Sequence, residues 1–232
     1  MLKMYRLLIM GCLPLLFLAC STVKRVAKAP DLYTTENELA VKIKDGWLSA
    51  KTVSLGGYNT SSRSNGVADH SPAKQIKQVS DAFYFTLKGK DVQIPVQLLS
   101  TNAITFSNRT LPQYMNGLPG DAPLWYIHVG ATALSPLKTW ELILKRNLSF
   151  LELNENKPVG VLRSAAEEIR VTVHNRFGIR NSYEKTCYEF QLKGIPVAAV
   201  IVGETPKAWI NARADADLQQ TLAGAIAALL FK

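Results

Sequence analysis

The sequence predicts a mainly β, α+β fold: an antiparallel sheet or barrel with a buried apolar C-terminal helix. Three observations carry that expectation. Short runs of alternating or β-branched residues recur from Leu39 to Ala212, separated by turn chemistry. The segment after Asp215 is rich in Ala and Leu and is apolar all round from Leu222 to Phe231, which excludes a solvent-facing position. No segment repeats at a fixed interval, and the length suits one domain.

Ahead of that body lies MLKMYRLLIMGCLPLLFLAC. Lys3 and Arg6 precede an apolar run from Leu7 to Leu18, and small Ala19 precedes Cys20. This is the three-part layout of an export signal, too short for a membrane span of about 20 apolar residues. Phe17-Leu18-Ala19-Cys20 resembles the lipobox of bacterial lipoproteins, with Phe17 where Leu is usual. The resemblance implies that Cys20 is diacylated on sulfur, that the chain is cut before it, and that the new amine is acylated. The expected organisation is a signal peptide over 1–19, a lipidated cysteine and basic tether over 20–36, and one globular domain over 37–232. Ser21, rather than Asp, follows the cysteine. In enteric lipoproteins that resemblance implies an outer-membrane, periplasm-facing location.

With Cys12 removed and Cys20 acylated, only Cys187 remains, so no intrachain disulfide is expected. Cys187 lies in a strand-like alternation and reads as a small buried residue. The chain has 27 Lys and Arg against 18 Asp and Glu, a net +9; without Lys3 and Arg6 it is 25 against 18, a net +7. That surplus favours anionic neighbours such as lipid headgroups or an acidic protein face. Nucleic acid is not an expected partner, since export separates the two and no recognition motif occurs. Lys24, Arg25 and Lys28 are candidates for membrane-surface contact, each adding about 1 kcal/mol at an anionic bilayer. They fit a solubilised tether equally well.

The alternation around Val41, Ile43, Val53 and Leu55 predicts one or two strands. Gly56 to Ala73 is polar and Gly/Ser-rich, and reads as a long exposed loop without a phosphate-binding motif. Val79 to Leu87 and Val92 to Leu99 form a predicted hairpin, with Pro95 expected at an edge or a bulge. Ala103 to Phe106 adds a short strand. Asn108 to Pro123 is a second long loop whose Tyr114, Met115 and Leu118 are expected to fold back over a core edge. Leu124 to Val129 reads as a strand covered on both faces. Over 137–147, helical and strand periodicities both fit. Ser149 to Leu153 and Pro158 to Leu162 read as a hairpin, and Ile169, Val171 and Val173 as one face of a one-sided strand. Tyr188 to Leu192, Ile195 to Val202 and Lys207 to Ala212 complete the strands. Asp215 is the expected N-cap of the last helix.

Antiparallel hairpins followed by a buried apolar C-terminal helix resemble the tubby-like and scramblase-like architecture, in which a barrel surrounds such a helix. The likeness covers layout from Leu39 to Lys232 and implies an association with lipid or membrane surfaces. The residues themselves offer no constellation of nucleophile, metal ligands or cofactor loop. Asp69-His70-Ser71 is contiguous, whereas triad members are brought together by a fold. His128 reads as a structural histidine, and adjacent Glu167 and Glu168 as solvated charges. The expected function is therefore a non-enzymatic, lipid-anchored envelope protein, without cofactor or metal, acting by protein or membrane-surface contact. One alternative is a lipid-binding or transport-accessory module with an apolar cavity beside the terminal helix. The other is an envelope hydrolase using His70, His128 or His174.

Overall fold

The computed structural model describes residues 31–46, 49–102, 110–115 and 122–232. Cys20, Lys24, Arg25 and Lys28, the whole signal segment, the short strand expected over 103–106, and Leu118 lie outside the described residues. In chain order the strands are β1 (Glu38–Leu39), β2 (Val41–Gly46), β3 (Ser49–Leu55), β4 (Tyr58–Thr60), β5 (Ser64–Asn65), β6 (Ser80–Gly89) and β7 (Val92–Thr101). They continue as β8 (Leu124–Val129), β9 (Trp140–Lys145), β10 (Pro158–Arg163), β11 (Glu168–His174), β12 (Cys187–Leu192), β13 (Ile195–Ile201) and β14 (Lys207–Ile210). Among the described residues two α-helices accompany them, α1 (Phe150–Asn154) and α2 (Ala216–Phe231).

All pairings are antiparallel, in the order β1, β14, β13, β12, β11, β10, β9, β8, β7, β6, β4, β3, β2, with β5 paired beside β6. The two outermost strands are consecutive in the chain: β1 pairs with β14, and one residue later β2 pairs with β3. A single stretch from Glu38 to Gly46 thus serves both edges, and the sheet nearly closes into a barrel. Closure removes the unpaired edges that would otherwise recruit foreign strands.

The barrel holds α2. Asp215 caps it, its carboxylate accepting from Leu218 N at 2.8 Å. Every residue from Thr221 to Phe231 is buried. Phe83, Phe85, Leu87, Ile94, Val96, Leu98, Ile127, Val129, Val171 and Phe190 form one core with Leu222, Ile226 and Leu229. Burying each such helix side chain contributes about 1.5–3 kcal/mol, which explains why a short helix of low polarity is stable here. Gly224 lets the helix approach the wall: a Cβ there would lie 3.1 Å from Val129 Cγ1. Gly160 sits at the register shift of β10, where a Cβ would meet Ile143 O at 2.3 Å.

Apolar side chains point inward while Lys42, Lys44, Lys88, Gln93 and Arg170 are exposed on the strands. This is the reverse of a barrel that spans a membrane, whose outside is apolar. No helix among the described residues is long and apolar enough to cross a bilayer.

Two stretches of chain cover parts of the outer wall. Ala73, Ile76, Leu111, Tyr114 and Met115 pack on Leu99, Leu124, Tyr126, Ile143 and Val161, so the expected folding back of Tyr114 and Met115 is found. Leu32 and Tyr33 pack on Cys187, Ala199, Ile201 and Trp209. The compact unit containing the barrel therefore begins at Leu32, taking in residues counted above with the tether.

Four expectations are corrected. Residues 149–153 are not a strand: Ser149 and Glu152 form a reciprocal capping box, and α1 follows. The stretch from Gly56 to Ala73 is not a bare loop, because it holds β4, β5 and a 3₁₀ turn at Pro72–Gln75, and buries Thr60 and Ala73. Pro95 is on an interior strand, tolerated because the β7–β8 ladder begins one residue later at Val96. The strand β11 is not one-sided, since Thr172 and His174 are also buried. The segment left open over 137–147 contains strand β9.

Candidate functional site

Antiparallel alternation sends the connections to two ends. At one end the strands are joined mostly by tight turns, such as Lys193-Gly194, whose positive φ values of 52° and 80° are those of a primed hairpin turn. From the other end leave the long connections 61–79, 146–157 and 175–186, and the one that joins β7 to β8. Binding residues concentrate on such loops when a rigid scaffold positions them.

The helix α2 starts at the tight-turn end, where Asp217 is hydrogen-bonded by Thr132, and finishes at the loop end. Around its last turn the fold gathers cations from four places in the sequence. Lys51 of β3 donates to Phe231 O at 3.5 Å. Arg63, held by a backbone bond from its N to Lys51 O at 3.4 Å, lies over the Phe83 ring at 5.1 Å. Arg146, just after β9, stacks over Trp125 at 4.9 Å, donates to Ser100 Oγ at 2.9 Å and pairs with Asp81 at 2.9 Å. Lys232 places its Nζ 5.3 Å from the Trp125 ring and 5.5 Å from the Tyr188 ring, and 3.2 Å from Tyr188 Oη. Cations near a helix C-terminus offset its partial negative charge.

Burial of its tip, and then the neighbouring Arg146, push the Lys232 amine down to about 8. Among the described residues neither Arg63 nor Lys232 has a carboxylate within ion-pair distance. Arg146 and Lys232 are shared by two adjoining clefts. The larger, about 550 Å³, is also lined by Arg63, Asp81, Phe83 and Trp125. The second, about 500 Å³, includes Leu148, Tyr183 and Tyr188. Next to them Phe150, Leu151, Ile179 and Tyr183 are exposed, with Phe150 and Tyr183 in ring contact at 4.6 Å. Leu134 and Leu137 are exposed at the tight-turn end, where the cleft beside Asp91, Gln93 and Thr132 has no cation in its lining.

A second polar cluster lies on the outer wall of β11 and β12. Tyr33 Oη donates to Glu189 Oε2 and lies 3.2 Å from His174 Nε2. Because Tyr33 spends its proton on the carboxylate, it accepts from His174, which places the imidazole proton on Nε2. Arg176 reaches Glu189 Oε2 at 3.3 Å and covers the Tyr33 ring at 4.1 Å; Gln191 donates to Oε1 at 2.7 Å. Burial raises the Glu189 pKa, but His174 at 3.8 Å and the bonds from Tyr33 and Gln191 outweigh it and hold the carboxyl down at about 2. The network latches residues 32–37 onto the barrel.

The histidine-based alternative fares as follows. His174 stands across from Cys187, but burial and then Glu189 push that thiol up to about 12 and it is fully buried, as expected for a structural cysteine. Asp69 pairs with Lys74 at 2.6 Å, Ser71 Oγ accepts from Ala73 N, and His70 is exposed, so these three neighbours do not act together. His128 is largely buried and its pKa is lowered by that burial. Glu167 is bound by Lys138. Among the described residues no group of three or more His, Cys, Asp and Glu could hold a metal ion.

Fold and rim together define a helix-filled β barrel with a basic, loop-bearing end. No family model, no curated protein and no solved structure matches the chain.

Proposed function

We infer that this chain is a lipid-anchored bacterial envelope protein, held through acyl groups on Cys20, that works by contact with a protein or membrane surface rather than by turnover. The observation that carries the reading is the concentration of Lys51, Arg63, Arg146 and Lys232, beside exposed Phe150, Leu151 and Tyr183, at one end of a barrel whose interior α2 occupies. A mixed cationic and apolar end suits an anionic surface with apolar depth. The net positive charge acts in the same sense. The layout also agrees with the tubby-like and scramblase-like resemblance. The alternative in which a lumen takes up an acyl chain draws no support from a barrel filled by Leu222, Ile226 and Leu229.

From Cys20 to Leu32 is twelve residues, so the chain reaches at most about 40 Å between acyl anchor and body. The body is kept within that distance of its bilayer. Detergent phase partitioning of cells expressing the parent and Cys20→Ser tests the anchor. The parent is expected in the detergent phase and the variant in the aqueous phase or uncleaved. A parent protein whose mature form carries no fatty acid refutes the reading.

A further inference from the structure

We propose that the cleft lined by Arg63, Arg146 and Lys232 is a binding site for an anionic phosphate ester, with Phe83 and Trp125 as its apolar floor. This rests on the contact reading and gives it a ligand chemistry. Three cationic side chains face one carboxylate side chain in the lining, that of Asp81, and Asp81 is already engaged by Arg146 at 2.9 Å. Arg63 and Lys232 keep their donors uncommitted to any described carboxylate, while Lys232 is held among aromatic rings beside a second cation. A buried cation next to a like charge is destabilised in its charged form, and an anionic phosphate group beside it offsets that penalty through a charge-assisted hydrogen bond. Trp125 is 8% exposed and closes the floor of the cleft beneath the cations. An entering phosphate brings acceptors into a lining that has donors in excess. The cleft volume of about 550 Å³ admits a headgroup and part of its glycerol.

The rim's cations also have a simpler use, holding the last turn of α2, and the test separates the two. The full chain in non-ionic detergent is titrated calorimetrically with dihexanoyl phosphatidylglycerol, with dihexanoyl phosphatidylcholine and with inorganic phosphate. Phosphatidylglycerol is expected to bind, and phosphatidylcholine to bind more weakly because its choline returns a positive charge to a basic cleft. Arg63→Gln and Lys232→Gln should each weaken phosphatidylglycerol about tenfold, the effect of one charge-assisted hydrogen bond. Arg63→Lys should keep most of the affinity. Lys90→Gln, which removes the same charge at the tight-turn end, should change it by less than about twofold.

Phosphatidylglycerol binding without inorganic phosphate binding supports a lipid headgroup as the source; competition by inorganic phosphate at similar concentration supports a free phosphate. The proposal is overturned if none of the three binds, if phosphatidylcholine binds as tightly as phosphatidylglycerol, or if the two Gln variants melt lower yet bind as the parent does. The titration contains no bilayer and does not depend on Cys20, so its failure leaves the anchor standing, and loss of the anchor leaves the titration standing.

Discussion

Glu189 shows how one carboxylate can fasten a flanking segment to a wall. Its folded pKa, held at about 2 against an ordinary value of 4.5, means that its stabilisation is complete above about pH 4.5. It is lost as pH falls from there toward 2. The difference corresponds to a contribution on the order of 3 kcal/mol at neutral pH. Glu189→Gln should therefore lower the urea midpoint at pH 7, and the difference should shrink as pH falls below about 4.5 and close only below about pH 2; a difference that stays constant between pH 7 and pH 3 would contradict the assignment. Tyr33→Phe removes the bridging hydroxyl and should cost about 1–3 kcal/mol, since Glu189 and His174 lose a buried partner. Gly224 is the corresponding sensitive point inside the barrel. Gly224→Val adds an isopropyl group against Val129 and Val96 and should destabilise by about 1–3 kcal/mol, read as a lowered melting midpoint.

At the scale of elements, α1 and α2 are stabilised in opposite ways. Helix α2 owes its stability to burial on every side, so Leu222→Ala should cost about 2–5 kcal/mol. Helix α1, only five residues long, depends on the Ser149–Glu152 capping box and on Lys145, which pairs with Glu152 at 2.8 Å. Ser149→Ala should cost about 1 kcal/mol globally and raise amide exchange in α1 more than in the neighbouring strands.

The two helices also differ in legibility. The apolar run of α2 and its Asp215 cap favour a helix enclosed by sheet over one packed on the face of an open sheet, and the enclosed helix is found. The pattern Ser149-x-x-Glu152 is a capping signature, yet Leu151 and Leu153 flank Glu152 as in a strand, and the apolar pattern masked the cap. Leu137, Trp140 and Leu144 fit a helical face while Trp140, Leu142 and Leu144 fit a strand, and only pairing with β8 and β10 decides for a strand. The rim was not legible at all. Lys51, Arg63, Arg146 and Lys232 are spread over the chain without spacing or motif, and only barrel closure and the length of α2 bring them together. The Tyr33–His174–Glu189 latch was equally hidden, though buried Thr172 and His174 on a strand facing away from the core were the trace it left.

For the whole molecule, one end of the barrel carries the long connections and the cations around α2 beside exposed Phe150, Leu151, Ile179 and Tyr183, while the other carries mostly tight turns with exposed Leu134, Leu137 and Ile195 but no comparable cluster of cations around the helix. Binding of the acylated protein to anionic vesicles should therefore weaken as salt rises, since exposed charges are screened within about 8 Å at physiological ionic strength. A residual, salt-resistant fraction should disappear with Cys20→Ser, because acyl burial is insensitive to screening.

The most direct test is hydrogen–deuterium exchange on the acylated full chain in nanodiscs containing phosphatidylglycerol, compared with the same chain in non-ionic detergent. The contact account predicts added protection in residues 61–66, 146–157 and 175–186, with the turns at 89–91 and 193–194 unchanged. Protection confined to those turns, or none at either end, would contradict it.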